Sequence, residues 1–227
     1  MQKMIVKMAK MYPVMIVMGF MIVLIAFVVG YFNSQTAAAY FGEAKALRET
    51  TLMAQRASIE SIGLWLPPFK FLGIGLILGG IVMALRIIID NLKAAGVEVL
   101  SNVPAEKRPQ MPATPWYASL MPAVMMLGEV VFLVAFGVGV WLSGLARTVF
   151  ANPLPTIDAA GAGSALLANL QTIHAVEGWL VPLKFFGIAT EFLAITMGLA
   201  TIIYILNAQT NMLDRGFRAA KSGQAAS

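Results

Sequence analysis

Four long apolar runs restrict the fold of this chain more than any other feature of the sequence. They cover residues 12–32, 69–89, 119–141 and 183–206. About 20 residues in a helix cross the roughly 30 Å hydrocarbon core of a bilayer. A backbone inside lipid must satisfy its own hydrogen bonds, and a helix does so within one segment. The sequence therefore predicts an all-α integral membrane protein with four transmembrane helices.

The composition agrees with a membrane protein and narrows the possible chemistry. Charged residues make up 12% of the 227-residue chain, whereas a soluble domain carries about 25%. With no cysteine and one histidine, the sequence lacks the ligands for disulfide scaffolds, thiolate-bound zinc, iron–sulfur clusters and bis-histidine haem. We therefore expect no cofactor, no metal site and no catalytic residue.

The connecting segments divide the sequence into four parts. In order, these are a first two-helix unit with an outer helical loop at 34–62 (1–90), a Pro-rich cytoplasmic linker (91–115), a second two-helix unit with an outer loop at 148–178 (116–207), and a polar C-terminal tail (208–227). The first outer loop either extends the first transmembrane helix or lies along the membrane surface. In the second, Pro153 and Pro155 break the chain, and a short interfacial helix is expected before Trp179.

The distribution of lysine and arginine predicts the orientation of the chain. The formal net charge is +5, but the basic residues lie beside apolar runs, which is typical of membrane topology and not of nucleic-acid binding. Most of them fall on the side of the termini and the central linker, which contains Lys107 and Arg108. Because positive loops stay in the cytoplasm, we expect both termini inside and both outer loops outside. The expected location is the cytoplasmic (inner) membrane of a prokaryote.

An internal repeat relates the two halves of the sequence. Residues 65–74 match residues 179–188 without a gap and share Trp, Leu, Pro, Lys, Phe, Gly and Ile. The preceding helices also align, with Gly19 opposite Gly128. Since each unit holds two spans, the copies enter the membrane from the same side. The sequence predicts a tandem parallel repeat with pseudo-twofold packing about an axis near the membrane normal.

The shared element also predicts where two of the helices enter the bilayer. Proline suits the first turn of a helix, so Pro68 and Pro182 are expected there. Tryptophan and lysine favour the headgroup level. Four residues are therefore expected to be interface anchors: Trp65, Lys70, Trp179 and Lys184. Binding of lipid headgroups by the two lysines is the functional alternative.

Two acidic residues lie inside predicted spans, where a carboxylate is costly unless it is paired, protonated or hydrated. They are Glu129 and Glu191, and their repeat counterparts are Phe20 and Ile77. Both are expected to face protein and to contact a polar group. The intramembrane residues that could form a packing seam or an ion path are Glu129, Glu191, Thr190, Thr201, Gly187 and Gly198. Small residues at this spacing favour a tight helix–helix seam, and a proton or cation path or a metal site are the alternatives.

Methionines recur every three or four residues along the N-terminal helix. The members of this possible packing face are Met4, Met8, Met11, Met15 and Met18. Thioethers bind Cu(I), but no cysteine or histidine accompanies these residues, so an adaptable packing surface is the favoured interpretation.

The residues together favour a structural function. We expect a non-catalytic integral membrane subunit that packs with itself or with partner membrane proteins in a larger complex, in contact with membrane lipids. A small-solute or ion/proton carrier that uses Glu129 and Glu191 is the alternative. Nothing in the sequence indicates an enzyme.

Overall fold

The computed structural model describes residues 11–101 and 113–224, with side chains described as far as residue 215. Its helices, in chain order, are α1 (Tyr12–Gly42), α2 (Lys45–Thr50), α3 (Met53–Ser101), α4 (Tyr117–Phe150), α5 (Leu154–Asp158) and α6 (Ala165–Gln224). Four of them, α1, α3, α4 and α6, are long and apolar enough to cross a membrane. The predicted all-α fold with four transmembrane helices is confirmed.

The helices extend well beyond the apolar runs. Helix α3 has 49 residues, which corresponds to a length of about 74 Å, more than twice the hydrocarbon core. It continues to Ser101, so the expected linker at 91–115 is wrong over its first eleven residues. Good helix formers such as Leu92 and Ala94 precede the prolines, which begin only at Pro104. In the first outer loop, expected at 34–62, α1 continues only to Gly42, so the helix extension holds for residues 34–42, while α2 and the start of α3 form most of the rest.

The second outer loop also differs from the expected arrangement. The chain breaks as predicted, because α4 ends at Phe150 and Pro155 lies in the first turn of α5. The short interfacial helix before Trp179 is wrong, however, since this segment is the continuous start of α6. The tail expected from residue 208 is likewise helical as far as Gln224. Its side chains are predominantly polar, so hydropathy alone did not reveal the extension.

The first-turn positions predicted for Pro68 and Pro182 are wrong, because both prolines lie inside long helices. Proline cannot donate a hydrogen bond to the carbonyl four residues earlier, which for Pro68 is Leu64. Helix α4 approaches this point at Gly139, where a Cβ atom would lie 3.0 Å from the Leu64 carbonyl oxygen and 2.9 Å from Pro68 Cγ. Neighbouring helices commonly stabilise such interruptions in membrane proteins.

The helices pack in an open arrangement in which α1 is peripheral. Helix α1 packs extensively against α3, which also contacts α4 and α6, and α4 packs against α6. The α1–α3 contact brings backbones together, since a Cβ on Gly19 would lie 2.5 Å from the Gly73 carbonyl oxygen. In the most apolar window of each helix, 11% of the window is buried in α1 and 44% in α3. Most of the α1 surface is therefore available to lipid or to another protein.

The closed pseudo-twofold packing expected from the repeat is not present among the described residues. Such packing would place α6 against α1 in the same way that α3 lies against α4. The contact between α3 and α4 is extensive, whereas the contact between α1 and α6 is not. Helix α3 offers Gly75 and Gly79 to α4, whereas the aligned positions on α6 are Ala189 and Leu193, both exposed. The added side chains prevent an equally close approach at that face.

One contact does correspond between the two halves. Gly19 of α1 lies against Ile77 of α3, and the aligned residues Gly128 of α4 and Glu191 of α6 are also in contact. This agreement supports a common helix-pair geometry. The tandem repeat itself stays a prediction.

Candidate functional site

Both intramembrane carboxyl groups lie between two apolar core clusters. The inner cluster, named for the end of the bundle where α1 begins and α3 ends, is built around Val82, Met121 and Ala194. The outer cluster, towards the opposite end, contains residues such as Leu64, Ala135, Leu142 and Leu180. Glu129 and Glu191 fall between these clusters in the order of residues along α4 and α6. The site is therefore in the middle of the bundle, far from either helix end.

Glu191 is the more buried of the two, with an exposed fraction of 0%. Its side chain lies against the α4 backbone, where a Cβ on Gly128 would be 2.5 Å from Glu191 Oε1. The absence of a side chain at Gly128 thus makes room for the carboxyl group. Neither carboxyl oxygen of Glu191 has a hydrogen-bond partner among the described residues.

Glu129 points from α4 towards α3. Its Oε1 would lie 2.5 Å from a Cβ on Gly79, and its Oε2 would lie 3.3 Å from a Cβ on Gly75. Met15 of α1 packs at the same position, because its methyl carbon would lie 3.3 Å from a Cβ on Gly79. The residue is half-buried, and its Oε1 atom is buried without a partner in the described part of the chain.

Phe132 fills the space beside the carboxyl pair and was not identified from the sequence. Its ring is fully buried and contacts Gly75 on α3. On the other side it lies 2.7 Å from the position that a Cβ on Gly187 of α6 would occupy. The sequence signal was its position three residues after Glu129, on the same helical face. Its ring separates α3 from α6 at the level of the site.

The two hydroxyl groups predicted for the seam on α6 are hydrogen-bonded within their own helix. Thr190 Oγ1 donates to the Gly187 carbonyl oxygen at 2.7 Å. Thr201 Oγ1 donates to the Met197 carbonyl oxygen, also at 2.7 Å. The expectation that Glu191 faces protein agrees with its burial, whereas the expected polar partner is not found among the described residues.

The small residues predicted to line a seam do lie between helices. Gly187 contacts Phe132, and a Cβ on Gly198 would lie 2.9 Å from Leu85 of α3 and 3.0 Å from the sulfur of Met121. Gly198 and Thr201 therefore belong to the inner packing layer, away from the carboxyl groups. Glu129, Glu191, Thr190 and Gly187 are brought together around the site.

The two lysines of the shared element have different environments. Lys184 is 8% exposed, and its Nζ lies 5.4 Å from the centre of the Phe71 ring. Lys70 is exposed, as an interface anchor should be. The ammonium group of Lys184 thus packs over an aromatic ring of α3, and the interface-anchor role of the four residues stays a prediction.

The two tryptophans differ from each other in exposure, and so do the methionines of the N-terminal face. Trp179 is exposed, while Trp65 is half-buried beside Phe69. Met4 and Met8 lie outside the described residues. Met11 and Met18 are exposed, and Met15 packs against the inner cluster, so only part of this face is used for packing within the chain.

A second polar cluster joins α3 to α4 near the outer end of the bundle. The hydroxyl oxygens of Ser61 and Ser143 are 2.6 Å apart, and both residues are buried. Arg147 Nε donates to Ser61 Oγ at 3.1 Å. Sequence reasoning missed this cluster, although a serine within an apolar helix is a recognisable signal for an interhelical hydrogen bond.

No protein-family model, curated protein or solved structure matches the chain.

Among the described residues there is no group of three or more His, Cys, Asp or Glu side chains arranged to hold a metal ion. The arrangement at Glu129 and Glu191 can bind or release a positive charge, since a carboxylate is an acceptor and a titratable group.

Proposed function

We propose that this chain is a non-catalytic integral membrane subunit that packs with itself or with partner membrane proteins in a larger complex. The peripheral position of α1 carries the proposal. This helix contacts the rest of its own chain mainly through α3, and only 11% of its most apolar window is buried. A helix held on one side only is suited to bridge its own bundle and a neighbouring membrane protein.

The packed interior supports a structural function over a transport function. Backbones meet at Gly19 and Gly73, and the Phe132 ring occupies the space between α3 and α6. A cavity of about 240 Å³ lies elsewhere, between the inner ends of α3 and α6 and lined in part by Lys93 and Gln209. Solute binding sites are usually preformed clefts, whereas at the level of the carboxyl pair side chains of α4 and α6 lie against glycines of their neighbouring helices and the Phe132 ring fills the space between α3 and α6.

The proposed orientation places both termini in the cytoplasm of a prokaryotic cell, with the chain in the inner membrane. The lysine and arginine distribution supports this orientation. The ends of α3 and α6 then extend beyond the bilayer on the cytoplasmic side, where Gln209 Nε2 donates to the Leu92 carbonyl oxygen at 2.8 Å. This pair of helix ends offers a rigid surface to soluble parts of a complex.

Photo-cross-linking from α1 in the source membrane tests the proposal. A photoreactive phenylalanine analogue at Phe20 or Phe27, which are 60% and 71% exposed, should cross-link to a second copy or to another membrane protein. The same analogue at Phe132 is the control, because a buried ring should cross-link only within its own chain. Exclusive cross-linking of both α1 positions to lipid would contradict the proposal.

A carrier of small solutes, ions or protons is a second candidate function. It is favoured by the carboxyl oxygens of Glu129 and Glu191 that lack hydrogen-bond partners among the described residues. In proteoliposomes, a carrier would show cation-coupled or pH-dependent flux that Glu191→Gln abolishes while the protein stays folded. Equal flux in empty liposomes and in liposomes with the wild-type chain would exclude this candidate.

A further inference from the structure

The two carboxyl groups lack the compensation that burial of a charge requires. Transfer of an ionised carboxylate into an apolar environment is costly unless hydrogen bonds or an opposite charge accompany it. Both oxygens of Glu191 and Oε1 of Glu129 are buried without a hydrogen-bond partner in the described part of the chain. In addition, Glu191 Oε1 lies against Gly128, the residue that precedes Glu129 on α4, so the two side chains are neighbours. The side chains around them leave this charge unbalanced.

The positive groups of the surrounding helices are engaged elsewhere. On α3, Arg86 pairs with Asp90 at 3.2 Å, and Lys70 is exposed. On α6, the Lys184 ammonium group lies over Phe71. On α4, Arg147 donates to Ser61. Helix α1 has no charged residue between Tyr12 and Gly42.

We propose that Glu129 and Glu191 form a single cation-binding site, in which a proton or a dehydrated metal cation neutralises the carboxyl pair and holds α6 against α4 and α3. The inference is independent of whether the chain is a subunit of a complex. It concerns a site inside one chain, whereas the proposed assembly concerns the outer surface of the bundle.

The dimensions of the site restrict the cation. Glu191 lies against Gly128 and Glu129 lies against Gly79. Beside them, Phe132 fills the space between α3 and α6. Mg²⁺ keeps several of its waters and Ca²⁺ takes six to eight oxygen ligands, while two carboxyl groups supply at most four. A proton needs no further ligand, and a monovalent metal ion is the cation that depends least on additional oxygen ligands after the proton.

Thermal unfolding of the purified full-length chain in lipid nanodiscs tests the site. After treatment with a chelator, the unfolding midpoint is measured against pH at constant salt, and against Na⁺, K⁺ and Ca²⁺ at constant pH with choline as the inert cation. The variants are Glu191→Gln and Glu129→Gln, which keep nearly the same volume. Glu60→Gln is the matched control, because Glu60 is exposed on α3.

We expect the wild-type midpoint to rise by at least about 2 °C at low pH or with Na⁺ or K⁺, whereas Ca²⁺, which needs more oxygen ligands than the site supplies, should have no effect. The rise should be lost in Glu191→Gln, reduced in Glu129→Gln and retained in Glu60→Gln. A rise at low pH, with an infrared carbonyl band of a protonated carboxyl group, identifies the proton. A rise with one metal at constant pH identifies that metal.

Two results would overturn the proposal. One is an equal response of wild type and Glu191→Gln to pH and to every cation. The other applies even if the variants do not fold: wild-type protein with neither a protonated-carboxyl band nor bound metal at one equivalent or more would have no neutralising cation.

Discussion

Gly128 on α4 lies directly against the carboxyl group of Glu191 on α6, so that a Cβ at Gly128 would be 2.5 Å from Oε1. The aligned pair in the first half is Gly19 and Ile77, where the corresponding distance to Ile77 Cγ1 is 2.9 Å. A glycine at the aligned position thus makes room for an aliphatic side chain in one helix pair and for a carboxyl group in the other. The difference is chemical, and it lies in the middle of the membrane.

Replacement of Glu191 by isoleucine should retain or raise the stability of the chain. From the sequence, Glu191 was expected to contact a polar group, and an apolar residue would lose that contact. The structure has no such bond among its described residues, and isoleucine reproduces the aligned residue Ile77. At the pH and salt at which the wild-type midpoint is lowest, so that no bound cation stabilises it, we expect the thermal midpoint of Glu191→Ile in nanodiscs to equal or exceed that of wild type. A loss above about 1 kcal/mol would indicate a polar partner.

Gly19→Ala should weaken the contact between α1 and α3. The new Cβ would lie 2.5 Å from the Gly73 carbonyl oxygen, so one backbone must move. Overpacking of this kind costs about 1–3 kcal/mol. Gly137→Ala on α4 is the control, because nothing lies within 4 Å of its Cβ position. Thermal unfolding should show a lower midpoint for Gly19→Ala only, and equal midpoints would contradict the close backbone contact.

The buried hydroxyl pair should show a measurable coupling energy. Ser61→Ala and Ser143→Ala each break the 2.6 Å hydrogen bond between α3 and α4. A double-mutant cycle in a membrane protein isolates about 0.6 kcal/mol for such a bond, and up to about 1.7 kcal/mol. Ser119→Ala is the control, since Ser119 bonds to the Trp116 carbonyl oxygen of its own helix end. Additive effects of the two substitutions would show that the bond does not stabilise the bundle.

Single-cysteine labelling should establish the orientation. The natural sequence has no cysteine, so each introduced thiol is unique. A cysteine at Lys45, whose side chain is 77% exposed on α2, should react with a membrane-impermeant maleimide in intact cells. A cysteine at Ala95, exposed on the inner extension of α3, should react only after the membrane is opened. The opposite pattern would reverse the topology.

The sequence predicted the number of spans but not the lengths of the helices. Apolar runs report the part of a helix inside lipid, and polar continuations such as 91–101 carry no hydropathy signal. The cost of a buried carboxylate correctly directed Glu191 towards protein. The position of Phe132 three residues after Glu129 indicates only a shared helical face, and its contacts with Gly75 and Gly187 were missed because they depend on how three helices pack. The interior prolines were misplaced because Pro68 is stabilised by a neighbouring helix at Gly139.

The most direct test of the proposed function is the composition of the particle that carries the chain in its own membrane. Polymer-bounded nanodiscs would be extracted without detergent, purified through a tag on the chain, and analysed by native mass spectrometry and protein identification. The proposal predicts particles that contain several copies of the 24.3 kDa chain or a stoichiometric partner membrane protein. Particles with one copy of the chain, lipid and no other protein would contradict it.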